Sequence, residues 1–504
     1  MKNILEWIER SAAECPDKPV FADENGEISY QDFLNCVQTV GSAVAGYPLR
    51  KCPVLVLLPR GIRALTAMFG IVYSGNYYII LDSEMPVPRM KMIAERLCAD
   101  TVITDGKLIG RAEELSLKRV ILLDEALKQE KNQTLLHQIR NEMTDADPVY
   151  TLFTSGSTGT PKGVVITHRN ILSYIDWFVK EFEIGRDTVF GNQTPLYFSM
   201  SVTDVYGTLC SGATLHLIPR SFFTFPVKLI QFLNDRQINA IYWVPSALCL
   251  LANWKIFDYA KPLYLRKIMF AGEVMPVPQL NYWMVNIPDA SYANLFGPTE
   301  TTDICTFYRV GKQFEEGQTL PIGHACDNCN VMVIKEDGTA AAAGEEGELY
   351  ARGPFISPGY INDPEKTAEA FVQNPLQSAY PERVYRTGDL VKVGDDGELC
   401  YLTRKDFQIK RMGYRIELGE IEAAASAVKG VYSCAAVYDR IGEKILLFYS
   451  GEKLEDAEII HMLSVHIPQY MLPEQIIHID SMPVNRNGKT DRTALLNIYQ
   501  GGKQ

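Results

Sequence analysis

TLFTSGSTGTPKG, residues 151–163, is the stretch that decides how the rest of this sequence is interpreted. Small hydroxyl and glycine residues follow the apolar strand pattern of residues 149–153, so backbone N–H groups could surround a polyphosphate without side-chain obstruction. Lys162 adds a positive charge. Pro161 stands where a Walker A loop starting at Gly156 would need its second glycine. The stretch predicts a phosphate-binding loop of another kind, and a Ser/Gly-rich surface turn is the weaker alternative.

Short apolar runs alternate with helical patterns on both sides of this loop. Residues 53–59 and 77–81 have the composition of strands buried on both faces. Residues 241–244, 267–270 and 292–295 repeat the pattern between helical stretches. The sequence therefore predicts an α/β fold with two α/β sheets in a large N-terminal part.

The C-terminal third changes character twice. Beyond Gly344, glycine-punctuated segments at 347–353 and 397–402 predict a β portion that completes the N-terminal part, residues 1–402. Residues 403–406 are expected to connect it to a small, mobile α+β C-terminal domain, residues 407–504. One helix face in that domain carries Leu418, Ile421, Ala425 and Val428.

Composition excludes several classes of protein. The 504 residues are 47% hydrophobic and 22% charged, which is ordinary for globular proteins and excludes collagen and wholesale disorder. The net charge of −12 disfavours nucleic acid or an anionic membrane as a partner. No apolar run resembles a signal peptide or a membrane span, so a cytoplasmic location is expected.

The eleven cysteines predict reduced thiols rather than a disulfide scaffold. Cys326 and Cys329 lie next to His324, but no second ligand pair follows at the spacing of a zinc site. A metal site there is disfavoured.

The phosphate-loop stretch resembles the core motif of the adenylate-forming (AMP-binding) superfamily of acyl, aryl and amino-acid ligases. Further segments resemble its other motifs in family order: VYSGNYYIILD at 72–82, NLFGPTET at 294–301, YRTGD at 385–389, RKD at 404–406, GYRIE at 413–417 and NGKTDR at 487–492. The match spans nearly the whole chain. It is most similar to the amino-acid-activating branch, which includes nonribosomal peptide synthetase adenylation domains and free-standing D-alanine:carrier-protein ligases.

This resemblance implies an ATP- and Mg²⁺-dependent ligase. A small carboxylic acid would attack the α-phosphorus of ATP, and the acyl-adenylate would then be transferred to the phosphopantetheine thiol of a separate carrier protein. The sequence ends soon after Arg492, so the acceptor is expected in trans. The alternatives are an acyl- or aryl-CoA ligase and, less favoured, a catalytically silent AMP-binding module. A hinge at Asp406 would rotate the C-terminal domain between the two half-reactions.

The resemblance also assigns site residues. Thr299 would bond the α-phosphate, Glu300 would hold Mg²⁺, and Lys489 would bridge the substrate carboxylate and the α-phosphate, assisted by Lys162. A glutamate on a loop and a lysine in a tail are otherwise usually solvated. The nucleotide would be contacted by Thr154, Ser155, Gly156, Ser157, Thr158, Gly159, Gly272, Glu273, Asn294, Phe296, Asp389 and Arg404.

Two of these assignments have specific alternatives. Phe296 resembles the aromatic that stacks on adenine, and the strong alternative is that its ring packs in the hydrophobic core. Asp389 resembles the carboxylate that accepts both ribose hydroxyls, with Arg404 nearby, and surface ion pairing is the alternative for each.

The expected acyl pocket departs from the family at one position. Amino-acid-activating relatives carry an aspartate that pairs with the substrate's α-ammonium, whereas this chain has Ser199, which puts an ordinary α-amino acid in doubt. The remaining pocket residues would be Met200, Thr203, Tyr242, Met269, Ala271, Leu295, Asp303 and Ile304. Asp303 is the only carboxylate among them. Either it takes a β- or more distal amine or a hydroxyl donor, or it faces solvent and the substrate is uncharged.

Overall fold

The structure is a computed structural model that describes residues 1–155, 161–315, 317–406, 408–484 and 490–501. Its chain divides into two compact units. Unit 1 comprises residues 1–83, 97–152 and 163–405, and unit 2 comprises residues 84–96, 153–162 and 406–504. The division falls between Lys405 and Asp406, inside the expected connecting segment 403–406. The sequence did not suggest that residues 84–96 and 153–162 group with the C-terminal part. Hinge motion at Asp406 stays a prediction.

The helices and strands follow the expected α/β pattern. In chain order, the described strands are β1 (Pro19–Asp23), β2 (Gly26–Ser29), β3 (Pro53–Leu57), β4 (Tyr77–Ile80), β5 (Thr101–Thr104), β6 (Arg119–Leu122), β7 (Pro148–Thr154), β8 (Lys162–Thr167), β9 (Val189–Asn192), β10 (Thr214–Leu217), β11 (Ala240–Trp243), β12 (Lys267–Ala271), β13 (Ser291–Phe296), β14 (Thr306–Val310), β15 (His324–Ala325), β16 (Asn330–Ile334), β17 (Glu346–Arg352), β18 (Gly359–Tyr360), β19 (Phe371–Gln373), β20 (Arg383–Val393), β21 (Leu399–Arg404), β22 (Gln408–Arg411), β23 (Tyr414–Glu417), β24 (Val431–Asp439), β25 (Lys444–Gly451) and β26 (Gln475–His478).

The described helices are α1 (Leu5–Glu14), α2 (Tyr30–Ala45), α3 (Ile62–Tyr73), α4 (Val87–Leu97), α5 (Ile109–Glu114), α6 (Leu123–Ala126), α7 (Gln133–Glu142), α8 (His168–Glu181), α9 (Met200–Ser211), α10 (Pro226–Asp235), α11 (Pro245–Asn253), α12 (Val277–Asn286), α13 (Pro364–Ala370), α14 (Leu418–Ser426), α15 (Asp456–His466) and α16 (Arg492–Gly501).

Two large sheets and a β portion organise the N-terminal part, which confirms the predicted fold class. One sheet has the strand order β18-β8-β7-β4-β3-β5-β6, and the other has the order β15-β14-β13-β12-β11-β9-β10-β1-β2. The β portion has the order β16-β17-β20-β19, with β21 paired to β20. Runs such as β4 and β11 are buried along their whole length, because helices cover both faces of a largely parallel sheet.

Local sequence signals explain where several helices begin. Ser29 caps α2 by accepting a hydrogen bond from the backbone N–H of Asp32. Thr167 and Asn170 form a reciprocal capping box at the start of α8. These caps anchor the helices that lie against the sheets, and α8 and α9 both contribute side chains to the site described below.

The C-terminal part of unit 2 has its own small core. Strands β24, β25 and β26 form a three-stranded sheet, and β22 pairs with β23 in a separate ribbon. The predicted helix face is confirmed: Leu418, Ile421, Ala425 and Val428 are buried in one hydrophobic cluster with the inner face of β25. An α+β layout therefore holds for residues beyond 407, as expected.

Candidate active site

Three neighbouring parallel strands of unit 1 bring most of the expected acyl-pocket residues together. Tyr242 on β11 lies in register with Met269 on β12, and Ala271 on β12 lies in register with Leu295 on β13. All four side chains are buried. Parallel strands end at the same edge of a sheet, where ligands bind in open α/β folds, so this register places one wall of the expected acyl pocket at the carboxyl edge.

Helix α9 supplies the facing residues. Ser199 directly precedes the helix, Met200 begins it, and Thr203 lies one turn after Ser199 on the same face. The hydroxyl of Thr299 lies 3.5 Å from the hydroxyl of Ser199, which connects the start of α9 to the turn after β13. Ser199 is therefore at the end of the pocket nearest to the expected phosphate ligand Thr299.

Asp303 is buried, with 2% of its surface exposed, so the expectation that it might face solvent is wrong. Its Oδ2 accepts hydrogen bonds from Thr203 Oγ1 at 2.6 Å, Tyr242 OH at 3.0 Å and Tyr174 OH at 3.3 Å. Burial is the main cause that raises the pKa of this carboxyl, and the hydroxyl donors oppose it. Thr302, the preceding residue, has a φ of +72°, an uncommon conformation for a β-branched residue and one that clusters at functional sites.

Glu300 is fully buried in the turn after β13, so the solvated alternative does not describe it. Its Oε1 accepts a hydrogen bond from Tyr360 OH at 2.8 Å, and its backbone carbonyl accepts one from Ser357 N at 2.9 Å. Tyr360 therefore orients the carboxylate as an outer-shell partner would orient a metal ligand.

The two residues expected at the ribose form a buried ion pair in unit 1. Arg404 Nη1 lies 2.9 Å from Asp389 Oδ1, and both side chains are less than a tenth exposed, so surface pairing does not describe them. A second carboxylate, Glu348, accepts hydrogen bonds from Gly388 N at 3.2 Å and Lys405 Nζ at 2.9 Å. The contacts of Arg404 with Asp389 and of Glu348 with Gly388 thus both hold the turn that carries Asp389.

Four further expected nucleotide contacts lie around β12 and β13. Gly272 has a φ of +91°, a conformation that favours glycine. Glu273 accepts a hydrogen bond from the backbone N–H of Ser246 near the start of α11, and Asn294 donates one to the carbonyl of Pro321. Phe296 packs in the β portion and its ring centroid lies 5.8 Å from that of Tyr401, as the core interpretation predicts. Adenine stacking by Phe296 stays a prediction.

Residues 153–162 of the phosphate-loop stretch belong to unit 2. Ser155 Oγ donates to the carbonyl of Arg415 at 2.8 Å and accepts from the N–H of Glu417 at 3.0 Å. Lys162 Nζ lies 3.8 Å from Glu417 Oε1. The hydroxyl of Thr154 is buried and has no hydrogen-bond partner among the residues that the structure describes. Gly156, Ser157, Thr158 and Gly159 lie outside the described residues, as does Lys489, so their assignments stay predictions.

Sequence reasoning missed Tyr174, Tyr360 and Glu348. Tyr174 and Tyr360 lie far from any motif that carries charge, and only long-range packing brings their hydroxyls to Asp303 and Glu300. Glu348 stands in a Gly-Glu-Leu strand segment that was interpreted as structural. The one signal that could have drawn attention to Glu348 is the presence of a charged residue inside an apolar strand pattern.

A buried polar network that the sequence did not predict lies beside the pocket. Asn192 Nδ2 donates to Asp204 Oδ2 at 2.7 Å, and Arg60 donates to the carbonyl of Asn192 at 2.8 Å. Burial raises the pKa of Asp204 to about 7, against an ordinary value near 3.8.

The raised pKa of Asp204 predicts a pH-dependent gain in stability for Asp204→Asn. The folded wild type binds a proton that the unfolded chain has released, so its stability falls as pH rises from about 4 through 7. The variant has no titrating carboxyl at this position, so its stability lacks this decrease with pH. Between pH 5 and pH 7, the stability of unit 1 in the variant relative to wild type should increase by about 2–3 kcal/mol. The measurement is urea unfolding followed by the fluorescence of the five tryptophans, which all lie in unit 1. The exposed control Asp235→Asn should show a flat difference, and an equally flat Asp204→Asn curve would contradict the prediction.

The cysteine and membrane expectations can be compared with the described part of the chain. Cys326 and Cys329 are largely buried, and burial raises the pKa of the Cys329 thiol to about 12. No group of three or more His, Cys, Asp or Glu side chains within the described ranges is arranged to hold a metal ion. Among the same residues, no helix is both long and apolar enough to cross a bilayer.

Known proteins are similar to this chain in sequence. The profile of the AMP-binding enzyme family matches residues 8–361. A D-alanine–D-alanyl carrier protein ligase of Bacillus cytotoxicus is 32% identical over 512 residues, covering 98% of this chain and 99% of the relative, and a Bacillus cereus ligase of the same name is equally similar.

Solved structures support the fold. The Vibrio cholerae adenylation domain AlmE, in complex with glycyl-adenosine-5′-phosphate, has a TM-score of 0.84 at 22% identity and covers 99% of this chain and 98% of its own. A nonribosomal peptide synthetase protein with adenylation and carrier domains, PA1221, has the same TM-score and identity and covers 99% of this chain and 84% of its own. At this identity the likeness concerns the fold alone.

The family match and the full-length relatives define this chain as an adenylate-forming ligase. The chain belongs to the AMP-binding enzyme family, as the family match over more than half of its length and its full-length relatives show.

Proposed function

We propose that this chain activates a small carboxylic acid as its acyl-adenylate and transfers the acyl group to the phosphopantetheine thiol of a separate carrier protein. One observation carries the proposal: the turn with Thr299 and buried Glu300 adjoins the start of α9, whose side chains meet those of β11 at the expected acyl pocket. The expected phosphate ligand and the expected acyl pocket therefore share one edge of the sheet, where a short acid could meet the α-phosphate of ATP.

Two group transfers make up the reaction. In the first, an oxygen of the substrate carboxylate forms a bond to the α-phosphorus, the bond between that phosphorus and the bridging oxygen breaks, and pyrophosphate leaves. In the second, the carrier thiol loses its proton to solvent, sulfur bonds to the acyl carbon, the bond between that carbon and the phosphate oxygen breaks, and AMP leaves. Lys489 and Lys162 would neutralise charge on the phosphates in the first step, and no protein nucleophile is required.

Glu300 fits the role of a Mg²⁺ ligand. Mg²⁺ in nucleotide sites is commonly held by one or two carboxylates together with phosphate oxygens, so a dedicated cluster of acids is unnecessary. Glu300 is a buried carboxylate oriented by a phenol, and the ion would supply charge neutralisation on the phosphates when bound.

Tyr360→Phe tests the Glu300 assignment without removing the carboxylate. Loss of the 2.8 Å hydrogen bond leaves Glu300 less well oriented, so the Mg²⁺ concentration for half-maximal pyrophosphate exchange should rise about tenfold or more. The exposed Tyr380→Phe is the matched control and should leave this concentration unchanged. An unaltered Mg²⁺ dependence in Tyr360→Phe would remove Glu300 from the metal site.

The test of the proposed function has two stages. ATP–pyrophosphate exchange with a panel of carboxylic acids measures the first half-reaction. Thioester formation with a holo carrier protein is then compared with thioester formation on free coenzyme A, using the best acid. Transfer to the carrier would support the proposal. It would also agree with the names of the full-length relatives, which are carrier protein ligases. Transfer to coenzyme A alone would make the chain a CoA ligase, and no exchange with any acid would make it a silent nucleotide-binding module.

A further inference from the structure

Strand β20 contains a bulge that ends at the residue expected to bind the ribose. Three residues of β20 stand opposite a single residue of β17, because the pairing of the two strands shifts between Glu348 and Tyr350. The three residues of this bulge are Thr387, Gly388 and Asp389. Bulges redirect side chains and are common beside active sites, so the direction of the Asp389 carboxylate depends on what holds the bulge in place.

Strand β17 holds the two residues that precede Asp389. Gly388 donates its backbone N–H to Oε1 of Glu348 at 3.2 Å, and Thr387 donates its hydroxyl to the carbonyl of Leu349 at 2.8 Å. Gly388 has a φ of +78°, a conformation that favours glycine. A bulge interrupts the hydrogen bonds between strands, so the Glu348 carboxylate takes the place of a strand partner for this N–H.

The charge of buried Glu348 is balanced by two cations that reach solvent. Arg386 Nε lies 3.1 Å from Oε1 of Glu348, and Lys405 Nζ lies 2.9 Å from its Oε2. The Arg386 and Lys405 side chains are 43% and 37% exposed. Removing the carboxylate therefore leaves cations that water can solvate rather than a buried unpaired charge, so a substitution of Glu348 is expected to preserve the fold.

Contacts from the end of β21 hold the other side of the bulge. The backbone N–H of Lys405 donates to the carbonyl of Gly388 at 2.9 Å, and Arg404 pairs with the Asp389 carboxylate. Arg404 thus acts on the carboxylate itself, whereas Glu348 acts on the backbone that carries it. A carboxylate that accepts hydrogen bonds from two ribose hydroxyls needs a fixed position as well as a fixed charge.

We propose that Glu348 is a positioning residue for the nucleotide. By accepting the hydrogen bond from Gly388, it places the Asp389 carboxylate where this group accepts hydrogen bonds from the ribose hydroxyls. The inference rests on the proposed function, whose nucleotide it takes as the ligand. Because Glu348 acts through Asp389, its loss should weaken the recognition of the two hydroxyls and leave the remaining contacts of the nucleotide unchanged.

The experiment compares AMP with 2′-deoxy-AMP and 3′-deoxy-AMP by isothermal titration calorimetry of the full chain, with no acid present. In wild type, the loss of either hydroxyl should weaken binding by about 10- to 100-fold, because a hydrogen bond to a charged acceptor is lost. In Glu348→Ala, AMP should bind about as weakly as the deoxy nucleotides. The dissociation constants of the deoxy nucleotides should stay within about twofold of their wild-type values.

Two further variants complete the test. The control Glu346→Ala removes an exposed carboxylate two residues earlier on β17 and should bind all three nucleotides as wild type does. Glu348→Gln keeps one oxygen that can accept from Gly388, so it should retain part of the preference for AMP. Should Glu348→Ala fold poorly by circular dichroism, this smaller preference in Glu348→Gln becomes the expected result, and an unchanged preference there would contradict it.

The ratio of AMP to deoxy nucleotide affinity separates positioning from a general structural role. An unchanged ratio in Glu348→Ala, or equal weakening of all three nucleotides, would overturn the inference. Wild type without a preference for AMP would overturn it as well. Absence of pyrophosphate exchange with every acid would overturn the proposed function, whereas the binding ratios would still decide the role of Glu348.

Discussion

Lys489→Ala is expected to lower the rate of acyl-adenylate formation by about 10²–10³-fold. The substrate carboxylate and the α-phosphate are both anions, and an ammonium between them offsets their repulsion where the charge develops. Lys489 lies outside the described residues, so the prediction rests on its place in the sequence segment 487–492. The measurement is ATP–pyrophosphate exchange at saturating ATP.

The second half-reaction separates this role from a structural one. Attack of a thiol on an acyl-adenylate supplied directly brings no triphosphate into the site, so Lys489→Ala should form thioester at nearly the wild-type rate. The exposed Lys453→Ala removes the same charge from the C-terminal part and should leave both half-reactions unchanged. Equal slowing of both half-reactions in Lys489→Ala would instead indicate a general loss of structure.

Arg89→Met is expected to destabilise unit 2 by about 3–5 kcal/mol. Arg89 on α4 forms a buried ion pair with Glu420 on α14, and the two side chains are 5% and 2% exposed. Removing the guanidinium takes the charge of Arg89 away from the buried carboxylate of Glu420, which costs far more than the pair contributes. Hydrogen exchange of the α14 backbone amides measures this locally, because a chain of two units need not unfold in one step.

A double variant tests the cause of that loss. Arg89→Met/Glu420→Met removes both charges and should recover most of the protection, since apolar side chains can replace a buried ion pair with little change in stability. Lys91→Met on the same helix is exposed and should have no effect. Equal loss of protection in the single and double variants would mean that the contact acts through packing rather than charge.

The sequence predicted those features that depend on short segments. Buried strands such as β3 and β11 are recognisable because their residues are apolar throughout, and the face of α14 is recognisable by its helical period. The motif segments that resemble the adenylate-forming family are also contiguous runs, so the family was identified correctly from them.

Features that depend on distant contacts were predicted less well. Asp303 receives its hydroxyl donors from positions 61, 100 and 129 residues away, and Tyr360 reaches Glu300 across 60 residues. No local pattern encodes such pairs. The exposure of Asp303 was therefore left open between two alternatives, and the grouping of residues 84–96 and 153–162 with unit 2 was not foreseen.

By itself the sequence determined the family, the α/β class and the identity of the charged groups available for phosphate chemistry, because each of these can be recognised from contiguous residues. The tertiary structure alone decided which carboxylates are buried and what their oxygens contact. Burial depends on atoms that several elements contribute at once, and it makes Asp303 a buried acceptor in the pocket wall instead of a solvated surface charge.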